Sequence, residues 1–204
     1  MPRALSPDDI ERFRERLIDA AERLFAEHGT EAVTIRQMAA ELGVSSMTPY
    51  RYFKDKDAIL AAVRARGFDR HAEALERAYL DGGQDWVARA HAIGRAYVRF
   101  ALSNPQAYKL MFDITQPSER DYPDLVRAAQ RSRRTMTAHL QAPLLAGRLK
   151  GDPELIGHMY WAALHGPIML AFSGMLAASC DPEKIIGGLT RALDAASFGS
   201  DDDA

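Results

Sequence analysis

Residues 34–56 read TIRQMAAELGVSSMTPYRYFKDK, and the fold turns on how this stretch is parsed. Thr34 and Gln37 form a capping box, in which a hydroxyl satisfies one orphan amide of a helix start and the glutamine reaches back to satisfy another. Ile35, Met38, Ala39 and Leu42 mark two apolar turns, and Gly43 ends them, because glycine takes a left-handed turn without strain. After Val44, Ser45 or Ser46 opens a second short helix through Tyr52, and Asp55 caps the next, which carries Ile59, Leu60 and Val63. Two short helices over an apolar framework are the parts of a helix-turn-helix, whose second helix must be brief enough to sit in a major groove. That second helix presents Ser45, Ser46, Thr48, Arg51 and Tyr52, side chains that reach base edges and phosphates, so the pattern points to double-stranded DNA. Pro49 lacks an N–H and biases Thr48 away from α geometry, which predicts an irregular first turn.

Upstream, Ser6-Pro7-Asp8-Asp9 is a helix start, and Phe13, Leu17, Ala20, Ala21, Leu24 and Phe25 recur at helical spacing up to Gly29. Downstream, Asp81-Gly82-Gly83 is a boundary. Helical patterns then break at Asn104-Pro105, Gln116-Pro117, Gly151-Asp152-Pro153 and Asp181-Pro182. Trp86, Ala90, Ile93, Tyr97 and Phe100 form one apolar stripe, and Leu125, Ala129, Ser132, Met136 and Leu140 form another. The expected fold is all-α: a three-helix DNA-binding domain over 1–55, a connecting helix over 56–80, a larger helical domain over 84–198 and a disordered tail over 199–204.

Composition agrees. The 204 residues are 47% apolar and 26% charged with a net charge of −2, an ordinary globular balance, and 34 alanines against six valines favour helix over sheet. One cysteine, Cys180, excludes an intramolecular disulfide and a multi-cysteine zinc site. The N-terminus has no apolar signal-peptide core, so a reducing cytoplasm is the expected setting. Gly157 to Cys180 contains no Asp, Glu, Lys or Arg, but its glycines, histidines and proline and the absence of flanking basic clusters favour a buried helix at a subunit contact over a membrane span. Residues 33–66 hold six basic and three acidic side chains, a local excess of +3 that suits few phosphate contacts per copy and affinity from pairing two copies.

These residues resemble a known family. Leu17-Ile18-Asp19-Ala20-Ala21, Leu24-Phe25-Ala26-Glu27-His28-Gly29, Val33-Thr34-Ile35-Arg36-Gln37-Met38-Ala39, Leu42-Gly43-Val44-Ser45 and Tyr50-Arg51-Tyr52-Phe53-Lys54-Asp55-Lys56 look like the N-terminal domain of TetR-family repressors. The family pattern has Gly-Thr-Leu before the tyrosine, where this chain has Met47-Thr48-Pro49. Asn104 to Phe112 and Trp161-x-x-x-His165-Gly166 resemble the branch whose C-terminal domain is marked by Trp, His and Gly. The resemblance implies a ligand-responsive repressor that dimerises through its last two helices, binds a palindromic operator and answers to a small-molecule effector. It implies that Thr34, Tyr50, Tyr52 and Lys56 hold phosphates, and that Ser46, Met47, Thr48 and Arg51 lie nearest the bases, with Arg36 and Ser45 also among the expected DNA contacts. Tyr50 and Tyr52 as domain packing, and Arg36 as a solvated charge, are the competing readings.

In the larger domain, Tyr97, Phe100, Met111, Phe112, Met136, Trp161, His165 and Met169 are candidates to line an effector pocket, against the competing reading of each as plain core, which a helical domain needs anyway. Gly166-Pro167 predicts a kink in the helix carrying Trp161 and His165. His158 and His165 align seven residues apart, as a structural pair or two metal ligands, and no metal or cofactor is assigned. Arg127, Arg131 and Arg134 form a basic stripe, either a solvated face or an anion clamp. The rivals are a helical interaction or scaffold protein and, more remotely, an enzyme. No phosphate-binding glycine loop, His-Glu-x-x-His or Gly-x-Ser-x-Gly occurs.

Overall fold

The computed structural model describes residues 6–113 and 119–197. Nine α-helices run through them: α1 (Pro7–His28), α2 (Ile35–Glu41), α3 (Lys56–Asp81), α4 (Trp86–Ser103), α5 (Pro105–Met111), α6 (Pro123–Thr135), α7 (Gln141–Leu145), α8 (Pro153–Phe172) and α9 (Pro182–Ser197). The described residues contain no β-sheet, so the fold is all-α. The tail 199–204 and the break at Gln116-Pro117 lie outside the described residues.

The punctuation residues act where the sequence puts them. Ser6 and Asp9 make the reciprocal capping box of α1, and Gly29 ends that helix at φ +79°. Asp85 and Asp152 cap α4 and α8, while Pro105, Pro153 and Pro182 each open a helix, where a missing N–H costs nothing. α6 stops at Thr135, yet Met136 and Leu140 stay buried as the chain tightens into a 3-10 turn over Ala138–Leu140, so the predicted stripe outlives its helix.

Two compact units emerge, one from residues 1–68 and 106–129, the other from 69–105 and 130–204. The cuts fall inside α3, at the start of α5 and inside α6, whereas the sequence reading puts the boundary at 81–83, where α3 ends and Gly83 turns at φ +76°. In the first unit Leu17 and Phe25 of α1, Met38 of α2 and Ile59 and Leu60 of α3 share one core with Val33 and with Leu110 of α5. Arg66 of α3 draws α1 in, with Glu15, Asp19 and Glu22 at 3.4, 2.5 and 2.7 Å.

In the second unit α4 buries Ile93, Tyr97 and Phe100, and α8 and α9 pack on each other. α8 continues through Pro167 to Phe172, and no helix among the described residues is long and apolar enough to cross a membrane. Gly157 is required by contact: a Cβ there would lie 2.5 Å from Thr137 Cγ2 and 2.9 Å from the Met136 carbonyl oxygen. Arg131 corrects the expected basic stripe. It lies against Asp69 at 3.2 Å, Glu73 at 3.7 Å and Glu76 at 2.6 Å, all on α3, so it is a structural clamp rather than a solvated or anion-binding cation.

The interior of this unit is partly polar. His71 is 1% exposed, its Nδ1 2.9 Å from Ser132 Oγ and its ring edge-on to Tyr97 and Phe100. Burial pushes its pKa from 6.5 down to about 3. Below pH 6.5 the unfolded chain therefore binds a proton that the folded chain refuses. Stability is full above that pH and falls below it, by up to about 1.4 kcal/mol per pH unit for one such side chain. Urea denaturation between pH 7.5 and 5 should show that fall, and His71→Asn, which keeps a donor toward Ser132, should make it shallower. A slope unchanged in the variant would assign the effect to other groups.

Candidate functional site

A helix-turn-helix needs a first helix that ends sharply. The Thr34 hydroxyl accepts from the Gln37 amide at 3.3 Å and donates to Gln37 Oε1 at 2.8 Å, which starts α2. At its end Gly43 turns at φ +66°, and the Gly43 and Val44 amides return to the carbonyls of Ala40 and Ala39, both at 3.0 Å.

The following segment departs from the expectation of a second short helix from Ser45 or Ser46 to Tyr52. Residues 45–48 form a turn and only Pro49–Arg51 are helical, as a single 3-10 turn. The irregular start predicted from Pro49 is present, but Thr48 sits at φ −64°, ψ −45°, in α geometry. The clash with a following proline disfavours that conformation without forbidding it. Here the Thr48 amide reaches the Ser45 carbonyl at 2.9 Å and the Thr48 carbonyl takes the Arg51 amide at 3.1 Å, bonds that compensate the cost. The Pro49 ring is buried, and its carbonyl accepts from both Tyr52 and Phe53.

Around this anchored ring Ser45, Ser46, Met47, Tyr50 and Arg51 stand exposed, Met47 by 67% and Tyr50 by 50%. Thr48 is half-buried. Arg36 on α2 is also exposed, and among the described residues neither the Arg36 nor the Arg51 guanidinium has an ion-pair or hydrogen-bond partner. Two candidates are occupied elsewhere. Tyr52 stacks on Phe13 with ring centroids 4.3 Å apart, and its carbonyl takes a bond from Arg14 at 2.9 Å. The Lys56 ammonium donates to the carbonyls of Thr30 at 3.0 Å and Val33 at 3.2 Å, binding the start of α3 to the turn between α1 and α2. Nothing near Lys56 in sequence announces those acceptors, which lie 26 and 23 residues upstream.

The eight effector candidates do not form one cluster. Met111 and Phe112 belong to the first unit, against Gly67 and Phe68. Tyr97, Trp161 and His165 do meet: the Trp161 indole donates to the Tyr97 hydroxyl at 3.0 Å, which lies 3.3 Å from His165 Nδ1, and burial lowers the His165 pKa. Phe100 packs on His71, and Met169 is half-buried on α8.

Two cavities of ≈ 630 Å³ occur in the second unit. One lies beside Leu75, Tyr79, Ile93 and Arg134, the other between α4, α8 and α9. Of the eight candidates, Met136 alone lines either, on the second. Sequence reasoning passed over His91, Arg95 and Arg99, which line that second cavity from α4. Their i, i+4, i+8 spacing, a polar face beside the apolar stripe, was the available signal. The His158 ring contacts the Glu154 carbonyl on its own helix, and no three potential metal ligands converge among the described residues.

Comparison with known proteins bears on both units. Residues 17–63 match the family model described as bacterial regulatory proteins, tetR family, and residues 90–193 match the tetracyclin repressor-like C-terminal domain. The HTH-type transcriptional regulator Rv1816 of Mycobacterium tuberculosis is 28% identical over 149 residues, 72% of this chain and 62% of that protein, so the chain spans less than two thirds of that relative. The HTH-type transcriptional regulator HbdR of Aromatoleum is 30% identical over 152 residues, 74% of this chain and 66% of that protein. A solved structure from Rhodococcus, titled as a protein with unknown function, superposes with a TM-score of 0.79 at 28% identity, covering 91% of this chain and 95% of that one.

The Lys56 geometry makes a prediction. A charged group bonded to two carbonyls contributes about 1.5–3 kcal/mol, so Lys56→Ala should lower the unfolding free energy by that order in denaturant titration. A lysine that served phosphates alone would leave folding unchanged.

Proposed function

The chain belongs to the TetR family of transcriptional regulators, and from that premise we propose that it is a cytoplasmic, ligand-responsive repressor acting as a homodimer on a palindromic operator. The observation that carries the proposal is the exposed turn 45–51, held on a buried proline beside two arginines whose guanidiniums have no partner among the described residues. Arg51, Met47, Thr48 and Ser46 are assigned to base edges, and Tyr50, Arg36, Ser45 and the Thr34 region to the flanking backbone. Lys56 and Tyr52 are assigned to holding the turn in place, with phosphate contact as a further role for both. A single turn reads few bases, so specificity requires two copies at a fixed spacing.

In this assignment residues 1–55 bind DNA, 56–80 connect and 84–198 regulate. Pairing is assigned to α8 and α9. Leu155, Met159 and Leu170 on α8 and Leu189 on α9 are 60%, 42%, 46% and 43% exposed, and Ala162 and Gly166 lie between them on α8 to permit close approach. Such an uncharged helical face is the material of an isologous interface. An effector that favours one arrangement of the regulatory part would shift α3 from Asp55 onward and change the spacing of the two reading turns. A differential affinity of about 1–3 kcal/mol between the states gives several-fold to hundredfold release.

Two measurements test this. In a gel shift with the DNA upstream of its own gene, binding should be selective and salt-sensitive, and Arg51→Ala should reorder the preferred bases at a cost of about 1–3 kcal/mol. Equal affinity for scrambled DNA would overturn the operator assignment. In light scattering the chain should have the mass of a dimer, and Leu170→Asp should shift it to monomer. A variant that stays dimeric would remove α8 from the interface.

A further inference from the structure

The cavity between α4, α8 and α9 has an apolar floor of Val98, Met136, Leu164 and Ile186. Its α4 wall carries Arg95 and Arg99, one turn apart on the same face. Both are exposed, and among the described residues neither guanidinium has an ion-pair or hydrogen-bond partner. Two other arginines are tied down by contrast: Arg66 spans three carboxylates, and so does Arg131. Two like charges at this spacing oppose the helix that bears them, and a low-dielectric floor beside them focuses their field.

Among the described residues no carboxylate of the opposite wall lies within ion-pair distance of either guanidinium. Burial, together with the hydrogen bond it donates to Asp194, keeps the Tyr160 phenol protonated, and Asp194 lies 3.8 Å from His91 Nε2. The Thr190 hydroxyl is donated to the Ile186 carbonyl. Glu183 at the rim has no side-chain partner among the described residues, so the lining carries two guanidiniums and two carboxylates that are not paired with one another. In the neighbouring cavity one of the two lining arginines, Arg131, is already neutralised.

We propose that the α4–α8–α9 cavity binds an amphipathic monoanion, its apolar body on the Val98–Leu164–Ile186 floor and its carboxylate between Arg95 and Arg99. A carboxylate accepts paired bonds from guanidinium forks and cancels the repulsion between them. A neutral head forgoes this, and a cationic head of the same shape meets two like charges. That this ligand is the effector rests on reading the second unit as regulatory.

The test uses the full chain with decanoate, decanol and decylamine, each below its micellar concentration. Binding is followed by calorimetry, alongside release of an operator fragment in a gel shift. Decanoate should bind about tenfold or more tightly than either analogue. The preference should collapse in the Arg95→Gln, Arg99→Gln double variant, whose DNA affinity without ligand stays that of the parent. Equal binding of decanol or decylamine, measured on the unmodified chain, overturns the proposal, as does a decanoate preference that survives in the variant. Arginine-dependent decanoate binding that leaves DNA affinity unchanged upholds the site and overturns the effector assignment. Release of DNA by a neutral molecule while decanoate fails to bind does the reverse.

Discussion

A single 3-10 turn cannot hold itself in place. Its few internal bonds leave it without the cooperative ladder that steadies a longer helix. What fixes residues 45–51 comes from outside: cationic side chains on backbone carbonyls at either flank. Arg14 of α1 bonds the carbonyl of Tyr52, and Lys56 of α3 bonds those of Thr30 and Val33. Between these clamps the buried Pro49 ring acts as a plug, with the Tyr52–Phe13 stack beside it. The exposed side chains are therefore presented on a short element made rigid by its surroundings, a condition for reading bases rather than merely touching phosphate.

Much of this was legible because it is local. Capping boxes at Ser6 and Thr34, the turn at Gly43 and the prolines at 105, 153 and 182 act within four residues of themselves, so their chemistry can be read along the chain. The burial of Met136 and Leu140 was legible although the helix beneath them was not, because the stripe records which side chains face the core and not how the backbone winds. What was hidden depends on partners distant in sequence. Lys56 resembles a surface cation until its two carbonyl acceptors are known, and Arg131 resembles part of a basic stripe until Asp69, Glu73 and Glu76 arrive from α3. Large apolar residues at helical spacing do not declare whether they line a void or fill one. Tyr97, Trp161 and His165 turned out to satisfy each other, while the cavity walls came from the charged side of α4.

The polar interior of the second unit has its own cost. His71, Ser132, Tyr97, Trp161 and His165 bury donors and acceptors where leucines would pack without desolvation. Each bond specifies one arrangement of α3, α4, α6 and α8 within that unit, since a slipped helix would strand a buried polar atom. Kept neutral by burial, His71 adds no charge to that interior at neutral pH.

Gly157 adds a mechanical constraint. With no room for even a methyl group between α8 and the backbone at Met136 and Thr137, the two segments touch atom to atom at that level. Close-packed matter resists compression far more than rotation about a contact point. A tilt of α8 within its unit that kept this contact would swing like a lever on a fulcrum at Gly157. The farther a residue lies from that pivot, the wider its arc, so the Phe172 end of the helix travels farthest for a given twist.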